Sequence, residues 1–226
     1  MRLSALVLAA AGLAALPALA QSPAWYAGLA AGQSRTDSGI VRSREDTLLF
    51  VDSVRSDFDA TGDAWKVFAG FRFTPYVALE AGYADLGRSR MSSVVVGGTP
   101  SAPGFFSIDR RVDAFGADLI GTLPIGPRFA LFARAGAWRA HVRSDVSLAG
   151  NIAFADGAPE TSRRIADDRT VAHFGAGGEW RFMPRAALRL EWERFAKTGS
   201  AFAAGESRHT GRADVDAVTL GALFDF

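Results

Sequence analysis

A chain of 226 residues with a formal net charge of +1 and 22% charged residues has no acidic or basic excess, which argues against nucleic acid as a partner. It has no cysteine, so no disulfide framework holds it together. Beyond residue 20 no apolar run reaches the roughly 18 residues a spanning helix needs, so any crossing of a bilayer falls to strands, whose alternation hides their apolarity from bulk hydropathy.

Arg2, the apolar run over 3–16, Pro17 and the small-residue site Ala18-Leu19-Ala20 read as a secretory signal peptide over residues 1–20. Residues 21–226 are then one domain. The first strand, over 25–34, alternates Trp25, Ala27, Leu29 and Ala31 against Tyr26, Gly28, Ala30 and Gly32. After a polar stretch over 35–62, the second sets Trp65, Val67, Ala69, Phe71 and Phe73 against Lys66, Phe68, Gly70 and Arg72. Thr74-Pro75-Tyr76 is a tight turn, where proline costs no ladder bond. The third strand, 77–86, turns Val77, Leu79, Ala81 and Tyr83 outward and Glu80 inward.

A Gly/Pro-containing segment over 87–109 leads to a fourth strand over 111–123, with Phe115, Ala117 and Leu119 opposite Gly116 and Asp118. Pro124-Ile125-Gly126-Pro127 turns the chain. The fifth strand alternates Phe129, Leu131, Ala133 and Ala135 with Phe132, Arg134 and Gly136. A third long segment over 144–168 resumes as a sixth strand at Thr170, where Phe174, Ala176, Gly178, Trp180 and Phe182 face away from Gly175, Gly177, Glu179 and Arg181. Met183-Pro184-Arg185 turns into a seventh strand, with Leu188, Leu190 and Trp192 against Arg189, Glu191 and Glu193. A loop over 197–212 precedes the eighth, which ends Thr219-Leu220-Gly221-Ala222-Leu223-Phe224-Asp225-Phe226 with one apolar and one mixed face.

Unpaired strand amides are costly in a bilayer, so these strands must close on one another. Their even number and the strict alternation of short and long connections predict an all-β fold: an eight-stranded antiparallel up-and-down transmembrane β-barrel of a bacterial outer membrane, both termini periplasmic. Trp25, Trp65, Phe71, Phe73, Trp180, Phe182 and Trp192 are expected at the membrane interfaces.

Inside so narrow a barrel, Glu80, Asp118, Arg134, Glu179, Arg189 and Glu191 are expected to form a lumenal ion cluster that plugs it. The carboxylate pair Glu179 and Glu191 has the chemistry for acid/base work, but neighbouring arginines and a packed lumen argue for structure. His141, His173 and His209 show no metal-ligand spacing and read as solvated or rim residues. No hydrolase, zinc or nucleotide motif is present, so no catalytic residue, metal or cofactor is assigned. Two other readings are a narrow low-conductance pore, in which the cluster re-pairs, and a lipid-modifying enzyme built on Ser144, His141 and Glu160, against which His141 is expected to face lipid.

With the strands in place, Thr74-Pro75-Tyr76-Val77-Ala78-Leu79-Glu80-Ala81-Gly82-Tyr83 resembles the second turn and third strand of the outer-membrane protein A transmembrane domain family. Gly177-Gly178-Glu179-Trp180 and Leu188-Arg189-Leu190-Glu191-Trp192 resemble its sixth and seventh strands, and Thr219, Gly221, Phe224 and Phe226 its terminal assembly signal. The resemblance runs from Trp25 to Phe226 outside the loops. It implies that Glu80, Glu179 and Arg189 belong to a lumenal salt-bridge network, with Arg134 at an inward basic position. It also implies that the terminal motif, Phe226 above all, is read by the barrel assembly machinery. The family's peptidoglycan-binding domain has no counterpart here.

Remaining expectations concern the loops. Leu48-Leu49-Phe50-Val51, Val94-Val95-Val96 and Phe105-Phe106 are adhesive surface for an extracellular ligand or, in the favoured reading, mutual packing in strands that run on beyond the membrane. Arg163-Arg164 is a solvated pair or a contact for lipopolysaccharide, which together with outer-membrane lipid is an expected partner.

Overall fold

The computed structural model describes residues 24–37, 53–96, 103–150, 161–199, 202–204, 207–210 and 213–226. Its strands are β1 (Ala24–Asp37), β2 (Ser53–Asp59), β3 (Thr61–Thr74), β4 (Val77–Val96), β5 (Gly104–Pro124), β6 (Phe129–Gly150), β7 (Ser162–Met183), β8 (Ala186–Thr198), β9 (Phe202–Ala204), β10 (Ser207–Thr210) and β11 (Ala213–Asp225). Every neighbouring pair is antiparallel, and β1 pairs with both β3 and β11 while β4 pairs with β5. The sheet therefore closes into a barrel of eight staves. β2 continues the β3 stave along β4, and β9 and β10 form a separate hairpin.

Period two decides which side chains fill the barrel. Trp25, Leu29, Val67, Leu79, Phe115, Leu119, Leu131, Leu190, Leu220 and Phe224 are exposed on the outer surface, an apolar wall that suits lipid. Interior positions are buried in two apolar layers. One holds Tyr26, Phe68, Ile120, Phe132 and Leu223 near the short turns. The other holds Leu86, Val112, Trp138, Val142, Phe195 and Val215 toward the opposite end. Interior glycines admit the large rings: a Cβ on Gly70 would overlap the ring of Tyr26.

Where the structure describes them, the four long connections expected from the polar stretches are largely strand. β4 and β5 pair up to Val95 and Gly104, and β5 pairs with β6 as far as Gly104 and Gly150. Segments 87–96, 104–109, 144–150 and 162–168 thus extend the barrel as ribbon, because mixed charges on one face and apolar residues on the other still satisfy a ladder. Ile108, Val146 and Leu148 pack there as a small core of their own, with Ile165 against it. The expected signal segment 1–20, the 48–51 patch and Glu160 lie outside the described residues, and of Val95, Val96, Phe106 and His209 only the backbone is described.

β4 carries one irregularity. Register shifts between Asp85 and Arg88, Gly87 has φ +77°, and its N–H donates to Asp85 Oδ1 at 2.8 Å. A side chain there would strain the backbone, so glycine permits the bulge.

Candidate functional site

Between the two apolar layers lies a layer of ions. On β4 it falls between Ala78 and Ala84, on β5 between Ile120 and Ala114, on β6 between Phe132 and Trp138. Glu80 joins two cations: Arg134 pairs with its Oε1, and Arg189 Nη1 donates to its Oε2 at 2.7 Å. Tyr26 Oη donates to the same Oε2 at 2.8 Å. Arg134 Nη1 also donates to Glu193 Oε1 at 2.5 Å and stands 3.5 Å from Glu191 and 3.8 Å from Asp118. Lys66 pairs with Glu191 and, at 2.8 Å, with Glu193. Asp118 accepts from Trp138 Nε1 at 3.1 Å.

His173 corrects the expectation that the histidines are solvated or at the rim. It is buried at 1% exposure, with Nδ1 2.8 Å from Asp118 Oδ1 and Nε2 3.4 Å from Glu193 Oε1. Nδ1 shares a hydrogen bond with Asp118, whereas Nε2 has no hydrogen-bond partner and only faces Glu193. The layer's other fixed charges are Lys66, Arg134 and Arg189 against Glu80, Asp118, Glu191 and Glu193, one negative charge in excess. A protonated His173 would balance it. Trp138 and Phe195 cover the ring with centroids at 4.9 and 4.3 Å.

Five of the six residues expected in the cluster, Glu80, Asp118, Arg134, Arg189 and Glu191, are in this layer, together with Lys66, Glu193 and His173. Glu179 is not. It sits lower, at the short-turn rim, 3.1 Å from Arg181 and 3.5 Å from Arg72, and reaches Arg189 only at 3.5 Å. Arg72 and Arg181 both also pair with Asp225. Glu179 and Glu191 therefore share no cation, but Arg189 pairs with both Glu179 and Glu80 and so ties the rim to the ion layer. The rim lines a cleft of about 200 Å³ with Arg72, Tyr76, Arg128 and Arg181.

Arg189 ties the ions to the ring layer below, its guanidinium 4.8 Å from the centroid of Phe132 and 5.0 Å from that of Phe68. The lumen is thus filled by a ring layer, an ion layer and an apolar layer. Above them Arg110 Nη2 bridges to Thr198, at 3.0 Å to its carbonyl and 3.1 Å to its hydroxyl. Burial there pushes Arg110 down to about 10, against the pull of Asp167.

The aromatic residues fall at two heights. At the short-turn end the aromatics form two groups, Trp25 with Phe71 and Phe73, and Phe129 with Trp180 and Phe182, and Phe226 is exposed at the same end; Trp25 and Phe71 centroids are 5.0 Å apart, Trp180 and Phe182 6.0 Å. Trp65 contacts Tyr83 at 5.6 Å and Trp192 contacts Phe174 at 6.1 Å, higher on the wall. In β11, Thr219 and Gly221 face the lumen and Phe224 and Phe226 face out; Phe226 N–H donates to Trp25 O at 3.0 Å, closing the seam. Ser144 and His141 lie on opposite faces of β6, and His141 pairs with Asp168, so no nucleophile and base meet there. Among the described residues no group of acidic or histidine side chains has a metal-binding arrangement.

A family model described as the OmpA-like transmembrane domain matches residues 20–226. Among solved structures, Neisserial surface protein A (NspA) has a TM-score of 0.51 at 12% identity, over 91% of this chain and 100% of that one. Ail of Yersinia pestis, in complex with the heparin analogue sucrose octasulfate, gives 0.49 at 13% identity over 91% and 100% of the two chains. OprG from Pseudomonas aeruginosa gives 0.48 at 10% over 90% and 95%. At such identities the likeness is one of fold. No curated protein sequence matches the chain.

Proposed function

The chain belongs to the OmpA-like transmembrane domain family of outer-membrane β-barrels, and from that membership we propose that it is a non-conducting, non-enzymatic barrel that acts through its outer surface. One observation carries this reading: a ring layer, an ion layer and an apolar layer fill the lumen in sequence, while β4 to β7 run on beyond them. A filled lumen offers neither an ion path nor room for a substrate. The projecting ribbon offers surface, with Val94 and Phe105 exposed near its tip, suited to an adhesin-like contact with an extracellular ligand. Tight turns face the periplasm in such barrels, so we assign the short-turn end and both chain ends to that side. Thr219, Gly221, Phe224 and Phe226 are then the signal for the barrel assembly machinery.

Two measurements test this together. Purified protein in a planar bilayer gives no steady current, and cells expressing it adhere to host matrix in a way that is lost when the tip of the β4–β5 or β6–β7 ribbon is trimmed. Reproducible channels that change with Glu80→Gln overturn the reading in favour of a pore. Altered lipid A on overexpression overturns it in favour of an enzyme.

A further inference from the structure

We propose that the outer wall of β4, β5 and β6 holds a phosphate group of an outer-leaflet glycolipid between Arg88, Arg111 and Arg143. The ladder sets Arg88 opposite Arg111 and Arg111 opposite Arg143, three arginines side by side on adjacent strands. Neighbours in such a row stand about 5 Å apart, and like charges there repel. The next outward-facing row above them is paired internally: Arg90 donates to Asp109 and Arg164 to Asp145, each at 2.6 Å. Among the described residues Arg88, Arg111 and Arg143 have no ion-pair partner, although Asp85, Asp113 and His141 occupy the next row toward the membrane. The row lacks its anion.

The bulge completes this row. Without the extra residue at Gly87, alternation would send Arg88 into the lumen; with it, Arg88 faces out, exposed beside Arg111. Height fixes the source of the anion. From Leu123 in the apolar wall up β5 to Arg111 is roughly 30 Å along the barrel axis, at about 3.4 Å per residue and a tilt of about 40°. Phe115 and Leu119 below are exposed and apolar, so the guanidinium groups lie where hydrocarbon gives way to headgroups. Guanidinium forks bind phosphate oxygens two at a time, and arginine fills all three places.

This site rests on the orientation proposed above, and not on any role of the ribbon tip. The test exchanges purified barrel into detergent containing bisphosphorylated lipid A, dephosphorylated lipid A or phosphatidylcholine, and measures retained lipid by native mass spectrometry. Native protein retains bisphosphorylated lipid A, and the triple variant Arg88→Gln, Arg111→Gln, Arg143→Gln retains it on the order of tenfold to a hundredfold less. The control Arg90→Gln, Arg164→Gln behaves as native. Heat-shifted gel mobility reports folding, and removing the like-charge row leaves the melting temperature in lipid-free detergent unchanged or higher. Equal retention by the folded triple variant overturns the site. So does equal retention of dephosphorylated lipid A, or displacement of the lipid by inorganic phosphate or sucrose octasulfate. Labelling of Val94→Cys from outside intact cells tests the orientation separately.

Discussion

His173 Nδ1 lies 2.8 Å from Asp118 Oδ1 at the centre of the lumen, with Glu193 on the ring's far side. This bond joins β5 to β7 over the intervening β6, where no ladder connects them directly. It also places the ring where a second proton would balance the charge count of the ion layer. Replacing the ring by Phe keeps its contacts with Trp138 and Phe195 but leaves four carboxylates against three cations. His173→Phe is expected to lose about 3 to 5 kcal/mol in urea unfolding followed by tryptophan fluorescence in lipid vesicles. Adding Asp118→Asn recovers much of the loss; a single variant as stable as native would remove the case for a charged ring.

Glu80 is shared by Arg134, Arg189 and Tyr26, so Glu80→Gln takes a carboxylate from two buried guanidinium groups, leaving Arg134 to Glu193 and Arg189 to the more distant Glu179, and costs about 3 to 5 kcal/mol. The apolar layers remain intact, so the variant still passes no current. Unfolding and planar-bilayer recordings on the same sample check both halves.

Gly70 faces the ring of Tyr26 with no room for a Cβ. Gly70→Ala is expected to destabilise the barrel by about 1 to 3 kcal/mol through overpacking. In a Tyr26→Leu background the same change costs less, because the ring is gone. A denaturant series over the four proteins gives the coupling energy.

Ala31 and Leu220 lie opposite each other on the outside of the β1–β11 seam. Since the chain has no cysteine, Ala31→Cys with Leu220→Cys gives a clean pair. Oxidation after folding is expected to lock the compact gel form against boiling, and reduction to release it. Failure to cross-link would count against closure at this seam.

Phe226 is exposed and its backbone N–H caps the seam at Trp25. Phe226→Ala is expected to lower the amount of protein in the outer membrane severalfold while leaving refolding into detergent micelles nearly unchanged. Equal loss in both would make it a packing residue and not a signal.

Much of the fold was legible because period two survives almost every local accident. The run from Trp65 to Phe73 declares an outer and an inner face without help from its neighbours, and the same parity turns Lys66, Glu191 and Glu193 inward. Parity does not carry height, so Glu179 reads as a companion of Glu191 although it belongs to the rim. A lone histidine has no spacing signal; the clue to His173 is that it shares parity with Gly175 and Gly177, glycines of the lumen. Polar composition hid the upper strands over 87–96, 104–109, 144–150 and 162–168, since charge on an outer face does not prevent pairing. Gly87 in the middle of a strand was the one mark of the bulge that reverses the side to which Arg88 points.

The seam between β1 and β11 has a consequence for the order of events in folding. The turns at 75–76, 125–128 and 184–185 join adjacent strands, and those hairpins need only local closure. Ala27 and Phe224 meet from nearly opposite ends of the chain. That ladder must wait until the last strand exists, and it bears the largest loop entropy of any pairing in the molecule. Once made, it leaves the closed part of the barrel, among the described residues, no free edge from which the sheet can peel. Opening then requires breaking a whole ladder at once, a step that slows escape whatever the depth of the energy well.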